Sequence, residues 1–75
     1  MPEMSVLGMK GDTKIIWDAD NEEEVANAKR TFNDLKKKGY YAYQVKGKDA
    51  HKGDIMQEFD PEAEKMILAP PMQGG

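Results

Sequence analysis

Lysine and tyrosine crowd into one stretch of this chain. Residues 36–53 hold six lysines against a single acid, Asp49, and Tyr40, Tyr41 and Tyr43 stand among them. Lys36, Lys37, Lys38, Lys46, Lys48 and Lys52 could neutralise phosphates while the tyrosine rings stack on bases, the chemistry that holds single-stranded nucleic acid. The first three also have a plainer use, because cations favour the carbonyl end of a helix. Other reactive groups lead less far. Asp18, Asp20 and Glu22 repeat the first ligand positions of a calcium loop, but Glu23 stands where that loop turns on glycine and Lys29 where it closes on glutamate. Capping and dipole compensation account for these acids instead. His51 is the lone histidine and cysteine is absent, which removes disulfides, thiolate nucleophiles and cysteine-based zinc sites. Gly8, Gly11, Gly47 and Gly53 fit neither the dinucleotide nor the Walker spacing. We therefore expect no metal, no cofactor and no catalytic site.

The elements that must position these residues are legible in outline. A helix is expected over about residues 21–38, with Asp20 as N-cap, Glu23 completing a capping-box-like pair and Gly39 ending it in the left-handed conformation. Val25, Ala28, Phe32 and Leu35 recur at helical spacing and form one apolar stripe. The rest alternates with period two. Residues 5–9 are expected to pair with residues 13–17 across a loop at Gly11, and Ile15 shares a face with Trp17. Within residues 40–45, Tyr41, Tyr43 and Val45 share one side, and Tyr40, Ala42 and Gln44 the other. Residues 55–59 alternate as a strand, Asp60 to Ala63 read as a turn, and residues 65–69 form the strand that completes a hairpin. The expected fold is α+β in two layers, one helix on a mostly antiparallel sheet of four or five strands in the order ββαβββ. Residues 46–53, glycine-bearing and aperiodic, form the longest expected loop.

Size limits what such a fold can do. At 75 residues, 39% apolar and 33% charged, the chain builds one domain, expected over residues 1–69, and has few apolar side chains to spare for a deep cleft. Two or three of the six methionines are expected to fill gaps in the core. The longest apolar run, residues 66–69, is far below the ~20 residues of a membrane helix, and the N-terminus has no signal-peptide pattern, so a cytoplasmic protein is expected. The net charge of −3 favours solubility and disfavours duplex DNA as the main partner.

The end of the sequence is unusual. A strand runs into Pro70 and Pro71, which remove ladder donors and hold the backbone extended, and residues 70–75 then form a slender tail that finishes on Gly74 and Gly75. This Pro-Pro-x-x-Gly-Gly ending resembles the ubiquitin-like sulfur carriers of the molybdopterin synthase small-subunit and ThiS type. The resemblance implies a β-grasp fold and activation of the Gly75 carboxylate by an E1-like adenylyltransferase. It also implies a C-terminal thiocarboxylate or a bond to a lysine. Gly74 would give clearance in a narrow channel, since glycine lets backbone approach backbone. Two other functions stay open on the residues alone. One is a binding module for single-stranded nucleic acid using the lysines and tyrosines above. The other is a protein-interaction adaptor, in one version carried on a mobile element, that offers a sheet edge or an acidic helix face.

Overall fold

Asn21 starts the helix. Its side chain accepts a hydrogen bond from the Glu24 backbone N–H at 3.2 Å and donates to the Glu24 carboxylate at 3.1 Å. The capping pair is thus Asn21 and Glu24, one residue later than Asp20 and Glu23. The shift arises because Asp18 builds a turn ahead of the helix: its carboxylate accepts from the Asp20 N–H at 2.9 Å and its carbonyl from the Asn21 N–H at 2.9 Å. Helix α1 runs Glu22–Lys37, with Glu22, Glu23 and Glu24 in the first turn and Lys36 and Lys37 in the last. Removing the cap by Asn21→Ala is expected to cost about 1 kcal/mol, read as a lower urea midpoint with an unchanged slope.

The structure, a computed structural model, describes residues 1–8, 11–45 and 54–71. The strands are β1 (Glu3–Val6), β2 (Thr13–Ile16), β3 (Tyr41–Val45), β4 (Asp54–Ile55) and β5 (Lys65–Ala69). They form one five-stranded sheet in the order β2-β1-β5-β3-β4. Three of the pairings are antiparallel, and β1 with β5 is parallel. The fold is α+β, with one helix on a mostly antiparallel sheet and elements in the order ββαβββ.

Two strands depart from the sequence expectation. β1 starts at Glu3 rather than at Ser5, because Glu3 to Val6 pair with β2 on one side and β5 on the other. The hairpin expected between residues 55–59 and 65–69 does not form. β4 is two residues long and pairs with β3, while β5 lies between β1 and β3. The physical reason is the apolar side chains after Ile55. Met56 donates its N–H to Ala42 O at 2.8 Å and turns into the core. Phe59 packs against Trp17 and Phe32, with ring centroids 5.3 and 5.7 Å apart. The segment wraps the core instead of continuing as a strand. The turn expected at Asp60 to Ala63 is present, held by Asp60 accepting from the Glu62 and Ala63 N–H groups at 2.9 and 3.2 Å.

The core lies between helix and sheet. Register puts Met4 beside Ile15 and Met66, Val6 beside Leu68, and Leu68 beside Ala42. Residues opposite one another share a face, and this face meets Ala28 and Phe32, with Val25 and Leu35 partly buried at its margin. The expected helix stripe is therefore the packed face. Among the described residues, Met4, Met56 and Met66 are the methionines buried in the core. Trp17 is buried and satisfies its indole N–H on Pro61 O at 3.0 Å. Among the described residues, no helix is long and apolar enough to cross a membrane.

Candidate functional site: the last strand and the open sheet face

β5 is the central strand of the sheet, flanked by β1 and β3. Its alternation is two-sided: Met66 and Leu68 are fully buried, whereas Lys65, Ile67 and Ala69 are half-buried on the opposite face. The ladder ends at Ala69, opposite Tyr41. Proline cannot donate to a ladder, so the chain leaves the sheet at Pro70, which is exposed, and reaches Pro71. Residues 72–75, including Gly74 and Gly75, lie outside the described residues.

Pro71 lies against the turn that ends the helix. Gly39 has φ of 95°, and a Cβ built there would come within 3.6 Å of the Pro71 ring. The Gly39 N–H donates to Lys36 O and the Tyr40 N–H to Leu35 O, both at 3.0 Å. This pair of bonds is a Schellman motif, which satisfies the last helical carbonyls. Ordinary van der Waals contact with Pro71 is no obstacle to a side chain, but the left-handed backbone is. Gly39→Ala is expected to destabilise the protein by about 1–2 kcal/mol, and Gly39→Asn by less, because asparagine tolerates that conformation better. Chemical denaturation of both variants against the parent checks the order.

The same motif separates the three tyrosines. In a Schellman motif the residue after glycine turns back to touch the end of the helix, and Tyr40 accordingly packs with Leu35 against the core. Tyr41 and Tyr43 are on the other side of the sheet, the side without the helix. The lysines are separated too. The Lys36 ammonium donates to Met56 O at 3.4 Å, so it closes the loop over the core. Lys37 lines a shallow concavity on the outer helix face with Lys29, Arg30 and Asp34. Lys38 is the exposed C-cap. Lys46, Lys48, Lys52 and His51 lie outside the described residues. Among the described residues, the basic segment is spread over helix end, outer helix face and open sheet face rather than gathered on one surface. The signal for this was present in sequence, since a glycine C-cap dictates where the following residue points.

Register defines what the open face presents. One row across the sheet reads Lys14, Ser5, Ile67, Tyr43 and Ile55; the next reads Ile16, Glu3, Lys65 and Val45, of which Val45 is buried; a third joins Ala69 to Tyr41. Ile16, Tyr41 and Ile55 are 55%, 50% and 61% exposed, and Tyr43 and Ile67 are half-buried between them. The Lys14 ammonium stands 3.5 Å from Glu3 Oε2, an ion pair too long to count as a hydrogen bond, on an oxygen that is itself buried. Sequence reasoning found Tyr41 and Tyr43 on this face but missed Ile16, Ile55 and Ile67, because their grouping depends on which strands are neighbours.

Chemically, this arrangement offers apolar and aromatic side chains beside the end of the central strand. Among the described residues, no three histidine, cysteine, aspartate or glutamate side chains converge to hold a metal ion. No protein-family model matches the chain, and neither a curated protein nor a solved structure does.

Proposed function

We propose that this chain is a ubiquitin-like carrier of the sulfur-carrier type, working through the Gly75 carboxylate after activation by an E1-like adenylyltransferase. The observation that carries the reading is the position of β5. A central strand held by ladders on both sides is a rigid base, and it passes straight into Pro70 and Pro71 of the Pro-Pro-x-x-Gly-Gly motif. The parallel pairing of β1 with β5 is also the arrangement that the resemblance to β-grasp carriers implies. In the reaction, a Gly75 carboxylate oxygen attacks the α-phosphorus of ATP and pyrophosphate leaves. A sulfide or amine nucleophile then attacks the carbonyl carbon of the acyl-adenylate, and AMP leaves.

Intact mass spectrometry of the protein from its native host, with and without the cognate adenylyltransferase, tests this. A chain ending at Gly75 that acquires an adenylate, thiocarboxylate or isopeptide adduct is the expected result. A chain that continues past Gly75 untrimmed, or that forms no adduct, overturns it.

A second reading, binding of single-stranded nucleic acid, has one observation in its favour: Tyr41 and Tyr43 share the open face at i and i+2, the spacing of a stacking platform. Its weakness is the dispersal of Tyr40, Lys36 and Lys37 to other surfaces.

A further inference from the structure

We infer that Pro71 is a positioning residue for the tail: its ring seats on the turn that ends the helix, and this seat fixes where and in which direction the chain leaves the sheet. The inference rests on the carrier reading and deepens it. A Cβ built on Gly39 would lie 3.6 and 3.7 Å from Cγ and Cβ of the Pro71 ring, and no other described atom beyond Gly39's own chain neighbours comes within 4 Å of that point. The ring occupies the space alone.

Burial agrees with the contact. The last residues of a domain are ordinarily poorly ordered unless something ties them down, and exposure grows as a chain leaves its fold. Here the order is reversed, because Pro70 is exposed whereas Pro71, one residue farther from the ladder, is half-buried. The helix end is what covers it.

Stiffness turns one contact into a direction. Each proline has a fixed φ and confines the residue before it to extended conformations, so Ala69, Pro70 and Pro71 form an arm with few alternatives. Both ends of the arm are held: Ala69 by its place opposite Tyr41, Pro71 by Gly39. The seat is rigid as well. Gly39 is kept at φ of 95° by the bonds from its own N–H to Lys36 O and from the Tyr40 N–H to Leu35 O, and it presents bare backbone to which a ring can lie close. The helix end, the start of β3 and the end of β5 therefore meet at the root of the tail. An arm ordered before a partner arrives spares part of the entropy cost of gripping an extended segment. Its loss should weaken capture of the tail rather than the chemistry that follows.

The test uses the full chain. Nuclear Overhauser contacts between the Pro71 ring protons and the Gly39 α-protons are expected in the parent, and the Gly39 and Tyr40 amide shifts should move in Pro71→Ala. Absence of these contacts overturns the seat. ATP–pyrophosphate exchange with the E1-like adenylyltransferase of the source genome reads the function: Pro71→Ala should raise KM for this chain about fivefold, the order of one residue left to be ordered on binding, with kcat within about twofold of the parent. Asn21→Ala, which weakens the fold at the far end of the helix, should leave KM unchanged. A Pro71→Ala variant with the parent's KM, or a KM shift matched by Asn21→Ala, overturns positioning in favour of a purely structural contact. A fall in kcat at constant KM overturns it too, since an arm ordered beforehand acts on capture. No exchange by the parent overturns the carrier reading and the positioning role together, while the Overhauser contacts decide the seat by themselves.

Discussion

Phe32→Ala is expected to lower the urea midpoint severely, a loss of about 3–5 kcal/mol of stability. Phe32 is fully buried, lies at the centre of the helix stripe and meets the Phe59 ring edge-on at 5.7 Å. Truncating a buried phenylalanine removes its transfer free energy and leaves a cavity, together about 3–5 kcal/mol. A chain of 75 residues has roughly 4–11 kcal/mol of stability in total by the usual per-residue range. The loss is thus between about a quarter and the whole of that stability, and no disulfide exists to limit the unfolded ensemble. Far-ultraviolet circular dichroism and urea titration read the outcome directly. A variant that keeps the parent midpoint would mean that Phe59 and Trp17 close the gap, and that the helix is held by something other than this stripe.

Leu68→Lys and Ile67→Lys, neighbours on one strand, are expected to behave in opposite ways. Leu68 is fully buried on the helix side, beside Val6 and Ala42. An ammonium there has no described acid opposite it and loses its hydration, a penalty of several kcal/mol that a domain of this size cannot absorb. Ile67 is half-buried on the open face, next to Tyr43 and Ser5. A lysine at that position can run its stem along the tyrosine and lift its charge into water, so the cost is about 1 kcal/mol or less. Denaturation midpoints for the pair separate the faces of β5. Equal destabilisation would mean that both faces of the central strand are covered.

Much of the candidate site was legible before any coordinates, but unevenly. The split of Tyr41 and Tyr43 from Ala42 follows from the pleat alone and holds. Of the basic, aromatic segment from Lys36 to Lys52, the described part is divided at the helix end, since a left-handed Gly39 turns Tyr40 back toward Leu35 while β3 carries Tyr41 away; Lys46, Lys48 and Lys52 lie outside the described residues. The apolar row Ile67, Tyr43, Ile55 could not be read at all, because residues from three segments become neighbours only through the sheet order. The one-residue shift of the cap has a local cause, the Asp18 turn, which engages the Asp20 and Asn21 N–H groups and leaves the Asn21 side chain to accept from the Glu24 N–H.

Interactions within a few residues were set by the amino-acid order itself: the helix and its buried stripe, the glycine that ends it, the Asp60 turn, the alternation of β3 and β5, and the prolines that close the last ladder. Each depends on dihedral preference or on contacts one or two turns apart, so neighbours in sequence suffice to specify it. Which strands lie side by side was decided only in three dimensions. β1 and β5 come from opposite ends of the chain and meet in parallel at the centre, a pairing chosen by the shared need of Met4, Val6, Met66 and Leu68 to cover Phe32. Competition for that same core drew Met56 and Phe59 out of a strand that their alternation alone would have allowed.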